Sequence, residues 1–264
     1  MLYHPGNELT LHFIPSPLGM DWSSPVKLTY SALKNIASLR PRFMGHVFVE
    51  LKGRKNFELT GMTSKTFDYL QQLLIHKKGL AILFHSFEGT LENEFLVQQE
   101  LGTYLKTGYS NFIKFILNDQ QFDRAMHYLT EYRDHKLDSQ YGLANRPRYR
   151  EGAGCSAFGA SFVDLLEFFN DDMKESWSQT ISIPERFSDV SLHKVLMGAH
   201  AWALENEDHK KLTFWDPDRM YHWVREKVNQ PDRKTFQVLQ IEKASGIVMD
   251  KRDQSAPTGG IWLS

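Results

Sequence analysis

The spacing of apolar residues along the chain predicts a mixture of short strands and amphipathic helices. Runs of apolar and β-branched side chains are typical of strands, and they occupy residues 9–14, 80–87 and 111–117. Two further pairs of such runs flank turn residues and predict β-hairpins. These are residues 43–51 with 56–60, and residues 236–241 with 247–249 joined across Ala244-Ser245-Gly246.

Helices are predicted where apolar residues recur at three- and four-residue spacing behind a capping residue. They begin at Ser24-Pro25, at Thr63 or Ser64, at Asn118 or Asp119, at Cys155, at Leu192 and at Asp216-Pro217. Because the strands cluster as hairpins and do not alternate strictly with helices, the pattern predicts an α+β fold and not a doubly wound parallel sheet. Residues 1–264 are interpreted as a single domain, with the catalytic elements in residues 43–169 and a helical and hairpin extension in residues 170–264.

Composition narrows the classes of function. The chain has 264 residues, with 31 Lys and Arg against 32 Asp and Glu, which argues against a strongly basic nucleic-acid-binding protein. No apolar run approaches the roughly 18 to 20 residues of a transmembrane helix. Residues 1–24 lack the pattern of a secretory signal, and the compartment and oligomeric state stay open. The single cysteine, Cys155, excludes an intrachain disulfide and any multi-thiolate metal site.

Cys155 follows a stretch with the composition of a functional loop. Residues 141–154 contain three glycines and three arginines without a regular period, and Gly152-Ala153-Gly154 leads directly into the predicted helix. A thiol at a helix N-terminus has a lowered pKa, and the free amides there can bind an oxyanion. The alternative interpretation is a small buried side chain at the start of a helix.

Among eleven histidines, His46 is the best candidate for a partner of Cys155. It lies in a predicted strand directly after Gly45, and the returning strand of the hairpin brings Glu58 opposite or diagonal to it. A carboxylate there orients the imidazole and stabilises the imidazolium. The alternative is a surface hairpin whose His46 and Glu58 face water, and His85, in an apolar run, is a second candidate histidine.

The motifs Gly45-His46-Val47-Phe48-Val49-Glu50 and Gly154-Cys155-Ser156-Ala157-Phe158, in this order, resemble the circularly permuted papain-fold hydrolases. This group includes permuted NlpC-type peptidases, YiiX-like proteins and the lecithin:retinol acyltransferase group. The histidine strand precedes the cysteine helix, as it does here. The acyltransferase branch has a second histidine in place of Glu58 and an asparagine in place of Gly154, so these departures argue against that branch.

The resemblance implies a permuted papain-like (NlpC-type) fold, with an antiparallel sheet and a nucleophile-bearing helix, and no cofactor. It implies a cysteine peptidase or amidase, that is, a thiol-dependent hydrolase or acyltransferase that acts on a peptide or isopeptide bond through a thioester. Cys155 is then the nucleophile, His46 the general acid and base, and Glu58 the orienting carboxylate. The substrate is a peptide or acyl-bearing molecule, with cell-wall peptides among the candidates. The expected substrate-binding residues are Tyr141, Asn145, Arg148, Tyr149 and Gly154, with Arg146 and Arg150 as further cations for a carboxylate.

Two other classes of function remain open on the sequence. The first is a non-catalytic binding or regulatory module on the same fold, in which Cys155 and His46 only contribute to packing. The second is a metal hydrolase that uses His193, His200 and Asp208, although the sequence supplies no third histidine at helical spacing there. The interpretation adopted is the thiol-dependent enzyme, without a metal.

Overall fold

The computed structural model describes residues 6–38, 40, 42, 44–65, 83–185, 203, 207–230 and 235–264. These residues form six α-helices and ten strands. The helices are α1 (Pro25–Ala37), α2 (Glu94–Thr107), α3 (Asp119–Asp134), α4 (Cys155–Leu165), α5 (Asp171–Trp177) and α6 (Pro217–Asn229). The strands are β1 (Asn7–Ile14), β2 (His46–Lys52), β3 (Phe57–Ser64), β4 (Phe87–Leu91), β5 (Asn111–Leu117), β6 (Gln140–Tyr141), β7 (Ser178–Pro184), β8 (His209–Trp215), β9 (Gln237–Ile241) and β10 (Ala244–Asp250).

Eight of the strands form one sheet, in the order β6-β4-β3-β2-β1-β5-β10-β9. The pairing of β5 with β10 is parallel and the other pairings in this sheet are antiparallel. Strands β7 and β8 pair separately as a hairpin. The fold is therefore mixed α+β with a mostly antiparallel sheet. Because β9 and β10 join this sheet, residues 170–264 contribute strands to the same structure as the predicted catalytic elements.

The two faces of the sheet differ in polarity, and β1 shows the difference most clearly. Its odd positions Leu9, Leu11 and Phe13 are fully buried in the main apolar core, which also contains side chains of α3, α4, α5 and α6. Its even positions Glu8 and His12 are buried on the opposite face, where His12 Nε2 lies 3.0 Å from Glu50 Oε2. Strict alternation along a strand produces this division.

Most of the elements that the sequence predicts are present. The strands over residues 9–14 and 111–117 and the first hairpin are confirmed, as are the helices that begin at Pro25, Asp119, Cys155 and Pro217. Ser24, Asn118 and Asp216 cap three of these helices by accepting hydrogen bonds from first-turn amides, as their sequence positions indicate. Within the described part of the chain, no helix has the length and apolarity needed to span a membrane.

Three predictions of secondary structure are wrong. Of the strand predicted over residues 80–87, residues 80–82 lie outside the described residues. Leu83 and Phe84 lie in a short 3₁₀ turn against a separate apolar cluster, and β4 begins at Phe87. The last hairpin turns at residues 242–243 instead of 244–246, and Glu242 adopts a left-handed φ of 55° there. Thr63 and Ser64 belong to β3 and do not cap a helix.

Helix α2 is missing from the prediction because its sequence has little amphipathic character. Only Val97 and Leu101 are buried along it, whereas Phe95 and Leu96 are well exposed. Asn93 caps its N-terminus and Gly108, with a left-handed φ of 74°, ends it. The rest of the helix predicted from residue 63 to 75, and most of that predicted over residues 192–204, lie outside the described residues.

Candidate functional site

Cys155 is the first residue of α4, and the packing of this helix places it beside the start of β2. Gly159, one turn along α4, contacts the sheet so closely that a Cβ atom there would lie 2.6 Å from Val47 Cγ1. Gly154 caps the helix in an extended conformation and offers no side-chain acceptor. The amides of the first turn therefore stay available at the positive end of the helix, next to the thiol.

Three consecutive residues at the start of β2, Gly45, His46 and Val47, surround the thiol. Sγ lies 3.8 Å from the carbonyl oxygen of Gly45, which accepts its hydrogen. The imidazole of His46 and the backbone N–H of Val47 also interact with the sulfur, as does the hydroxyl of Tyr141. The side chains of Cys155 and His46 are only 6% and 4% exposed. The structure thus brings together the cysteine and histidine that the sequence pairs, in a largely buried position.

His46 is oriented by Glu92, a residue that no local sequence pattern indicates. The Nε2 atom of the imidazole lies 2.7 Å from Oε2 of Glu92, so Nδ1 is the ring nitrogen that remains for the thiol. Gly61 on β3 leaves space for this pair: a Cβ there would lie 2.6 Å from Glu92 Oε2 and 3.0 Å from His46 Nε2. The ring of Phe48 contacts the imidazole edge-on at 4.6 Å.

Hydrogen bonds constrain both the backbone and the carboxylate of Glu92. Its backbone N–H donates to the carbonyl of Gly61 at 2.9 Å, and its carbonyl accepts from the hydroxyl of Thr60 at 2.9 Å. Its second carboxylate oxygen binds the guanidinium of Arg42, which also donates to both oxygens of Glu100 at 2.8 Å. A connected series of polar contacts therefore runs from the thiol to the side chains of α2.

The charges of these groups favour a thiolate–imidazolium pair. Burial and the charge of Arg42 oppose protonation of His46, yet Glu92 and Cys155 raise its pKa to about 9. Burial also opposes ionisation of Glu92, but His46 and Arg42 lower the pKa of its carboxyl to about 2. Burial disfavours the Cys155 thiolate as well, and the charge and hydrogen bond of His46 nevertheless lower the pKa of the thiol, assisted by Val47 and Tyr141.

The prediction that Glu58 faces His46 is wrong. In the β2–β3 hairpin Lys52 pairs with Phe57, so Glu58 lies opposite Leu51. That position is five residues from His46 along β2, or about 16 Å at 3.3 Å per residue. The carboxylate of Glu58 instead accepts hydrogen bonds from Arg133 at 2.7 and 3.1 Å.

The arginines that precede Cys155 do not form the carboxylate-binding cluster that the sequence predicts. Arg148 donates to Asp164 at 2.7 Å and to the carbonyls of Gly260 and Ile261, which ties the loop to α4 and to the end of the chain. Arg146 binds Glu151 within the same loop. These guanidinium groups are engaged in structural contacts.

Some of the other predicted binding residues lie beside the thiol, and the rest lie in the loop that precedes α4. Tyr141 and Gly154 lie at the thiol, as described above. Asn145 donates to the carbonyl of Glu151 at 2.7 Å and to Ser86 at 3.1 Å, so it stabilises the loop. Tyr149 is exposed under the guanidinium of Arg146, and Arg150 lies over the ring of Trp262.

A cavity of about 310 Å³ lies beside α4 and the loop that precedes it. Ala157, Ala160 and Asp164 of α4 contribute to its lining, as do Trp215 and loop residues 143–149. Neither Cys155 nor the histidine beside it belongs to this lining. The cavity therefore shares the loop with the thiol site but does not reach the sulfur.

The remaining histidine candidates do not join this site. His85 lies against the ring of Phe87 at 4.9 Å. His193 and His200 lie outside the described residues, so their pairing with Asp208 remains a hypothesis. Among the residues described, no group of three or more His, Cys, Asp or Glu side chains is arranged to bind a metal ion.

No protein-family model, curated protein or solved structure matches this chain.

Proposed function

We propose that the protein is a thiol-dependent hydrolase or acyltransferase that acts on an amide bond, of a peptide or isopeptide, through a thioester on Cys155. The observation that supports this proposal most is the buried series Cys155–His46–Glu92, in which each group favours the charged form of the next. A merely structural cysteine needs no imidazole, and a merely structural imidazole needs no carboxylate.

The proposed reaction follows from the positions of these groups. The Cys155 thiolate attacks the carbonyl carbon, and in this proposal the amide of Cys155, together with the hydroxyl of Tyr141 that contacts the sulfur, donates to the oxyanion. The imidazolium of His46 transfers its proton to the leaving nitrogen as the C–N bond breaks. Water, or another nucleophile, then attacks the thioester with His46 as the base, which releases the acyl group and restores the thiol.

The finer fold assignment belongs to the same proposal. A histidine at the start of a strand of a mostly antiparallel sheet, followed much later by a cysteine that begins a helix, supports the permuted papain-like architecture. Glu92 takes the third position of the triad in place of the predicted Glu58. Cell-wall peptides remain among the candidate substrates.

A non-catalytic binding or regulatory module on the same fold is the second candidate. It is favoured by one observation, the low exposure of both Cys155 and His46, since a nucleophile must reach its substrate. Acyl transfer to the protein separates the two functions, because a binding module does not form a covalent intermediate.

The test is to incubate the full chain with activated esters of short peptides and to measure the mass of the intact protein. We expect one acyl group per chain, released by hydroxylamine, and no acylation of Cys155→Ser. His46→Ala should be acylated at least about tenfold more slowly, since its thiol loses the imidazolium that lowers the thiol pKa. Acylation of Cys155→Ser at the wild-type rate, or none in the wild type, would overturn the proposal.

A further inference from the structure

The first turn of α6 contacts the start of β2 directly behind the thiol. Asp218, the second residue of α6, is buried and makes three hydrogen bonds there. Its Oδ1 accepts from the backbone N–H of Ser16 at 2.5 Å, and its Oδ2 accepts from the hydroxyl of Ser16 at 2.7 Å and from the N–H of Met20 at 3.1 Å. These bonds attach the segment that follows β1 to α6.

Ser16 also binds the residue that precedes β2, and so connects Asp218 to this strand. Because its hydroxyl hydrogen is donated to Asp218, its oxygen is oriented to accept, and it accepts from the backbone N–H of Gly45 at 3.0 Å. The contact between Gly45 and the first turn of α6 is close as well as polar. A Cβ atom at Gly45 would lie 2.8 Å from Pro217 Cβ and 3.0 Å from Asp218 Oδ1, so only glycine fits between β2 and α6.

Gly45 is the residue on which the thiol environment depends. Its carbonyl accepts the hydrogen of the neutral thiol, and the two residues after it supply the imidazole and the Val47 N–H that stabilise the thiolate. His46 is the first residue of β2 and pairs with the last residue of β1, Ile14. The backbone just before it lies outside this ladder, and the Ser16–Gly45 hydrogen bond constrains it instead.

We propose that Asp218 and Ser16 are positioning residues for the Cys155–His46 pair, an inference that rests on the proposed function. Asp218 orients the Ser16 hydroxyl, Ser16 anchors Gly45, and Gly45 fixes the backbone from which the His46 ring and the Val47 amide reach the sulfur. Neither residue touches the reacting atoms. Asp218 lies in residues 170–264, so this assignment extends the site into the part of the chain that the sequence assigns to an extension.

The experiment is the pH dependence of iodoacetamide alkylation of Cys155 in the full chain, measured for the wild type, Ser16→Ala, Ser16→Thr and Asp218→Asn. Cys155 is the only cysteine, so the signal has one source. We expect Ser16→Ala and Asp218→Asn to shift the profile upward by about one pH unit, a roughly tenfold slower reaction at pH 6, since the hydrogen bonds of His46 and Val47 to the charged sulfur are weakened. Ser16→Thr keeps the hydroxyl and should retain the wild-type profile.

The matched control is Asp172→Asn, which removes a carboxylate from the first turn of α5. Asp172 accepts from Trp223 Nε1 and binds Lys227, on a different set of partners from those of Gly45. Its profile should equal that of the wild type even if its melting temperature falls. A wild-type profile in Ser16→Ala would overturn the inference, whatever the fate of Asp218→Asn. An ordinary thiol profile in the wild type itself would instead overturn the proposed function.

Discussion

Replacement of Glu92 by glutamine tests the carboxylate that the structure places on His46. The pKa of His46 is about 9 because Glu92 and Cys155 outweigh burial and the charge of Arg42. The substitution Glu92→Gln removes the favourable carboxylate charge and leaves the two unfavourable effects in place. The pKa of the imidazole should therefore fall to about 6.5 or below, a change of at least about two units, or roughly 3 kcal/mol in the preference for imidazolium.

The consequence for the thiol follows from the same coupling. Without imidazolium at pH 7, Cys155 loses the charge that lowers its pKa, and iodoacetamide should react about 10- to 100-fold more slowly at pH 7. The assay is the alkylation rate together with the NMR titration of the His46 ring. Glu58→Gln is the control. Because Glu58 binds Arg133 and not His46, this substitution should leave the alkylation rate and the His46 titration unchanged. If Glu92→Gln matched Glu58→Gln in both measurements, the assigned role of Glu92 would be refuted.

Two further predictions concern glycine packing and a buried carboxyl. Gly61→Ala should displace Glu92 and slow the alkylation of Cys155 several-fold, because its Cβ would lie 2.6 Å from Glu92 Oε2. The control Gly102→Ala, on α2, meets no atom within 4 Å and should raise stability by up to about 1 kcal/mol. Equal alkylation rates in the two variants would contradict the role given to Gly61. Burial, with the charge of Asp218, raises the pKa of Asp216 to about 7. Between about pH 4 and pH 7 the folded state holds a proton that the unfolded state has released, so this carboxyl lowers stability across that range and by a constant amount above it. Asp216→Asn should therefore raise the free energy of unfolding at pH 8, by an amount on the order of a few kcal/mol, and change it little at pH 4. Chemical denaturation at the two pH values measures this difference. An equal effect at both would show that Asp216 is not buried as a neutral acid.

The sequence identifies the parts of the site that depend on local patterns. Cys155 follows small residues at the start of an apolar-faced helix, and His46 follows a glycine in a run of β-formers. Each signal lies within about ten residues of chain. Periodicity and capping predict such segments well, because the physics that forms them is local.

Glu92 and Asp218 could not be found in this way. Glu92 reaches His46 only because β4 pairs with β3 and because Gly61 leaves space, and α2, which follows it, lacks an amphipathic pattern. Asp218 has the sequence context of an ordinary acidic residue in the first turn of a helix. Its contact with Ser16 joins residues 202 positions apart, and no local pattern encodes a contact of that range.

The error at Glu58 has a specific cause. A turn over residues 52–55 pairs Leu51 with Asn56 and puts Glu58 opposite Val49, three residues from His46. The observed pairing of Lys52 with Phe57 puts Glu58 opposite Leu51, two residues farther from His46. In a hairpin, a shift of a few residues changes every cross-strand partner. The carboxylate that the chemistry requires was therefore expected from the adjacent strand, whereas the residue that follows β4, the next strand of the sheet, supplies it.

The most direct test of the central claim is the ultraviolet titration of the thiolate, which does not depend on whether a reagent can reach the buried sulfur. The difference between the wild type and Cys155→Ser isolates the one thiol in the chain. The account predicts thiolate absorbance that persists well below the usual pKa of about 8.5 and that is lost at neutral pH in His46→Ala. A wild-type thiol that ionises at or above its usual pKa would contradict the account.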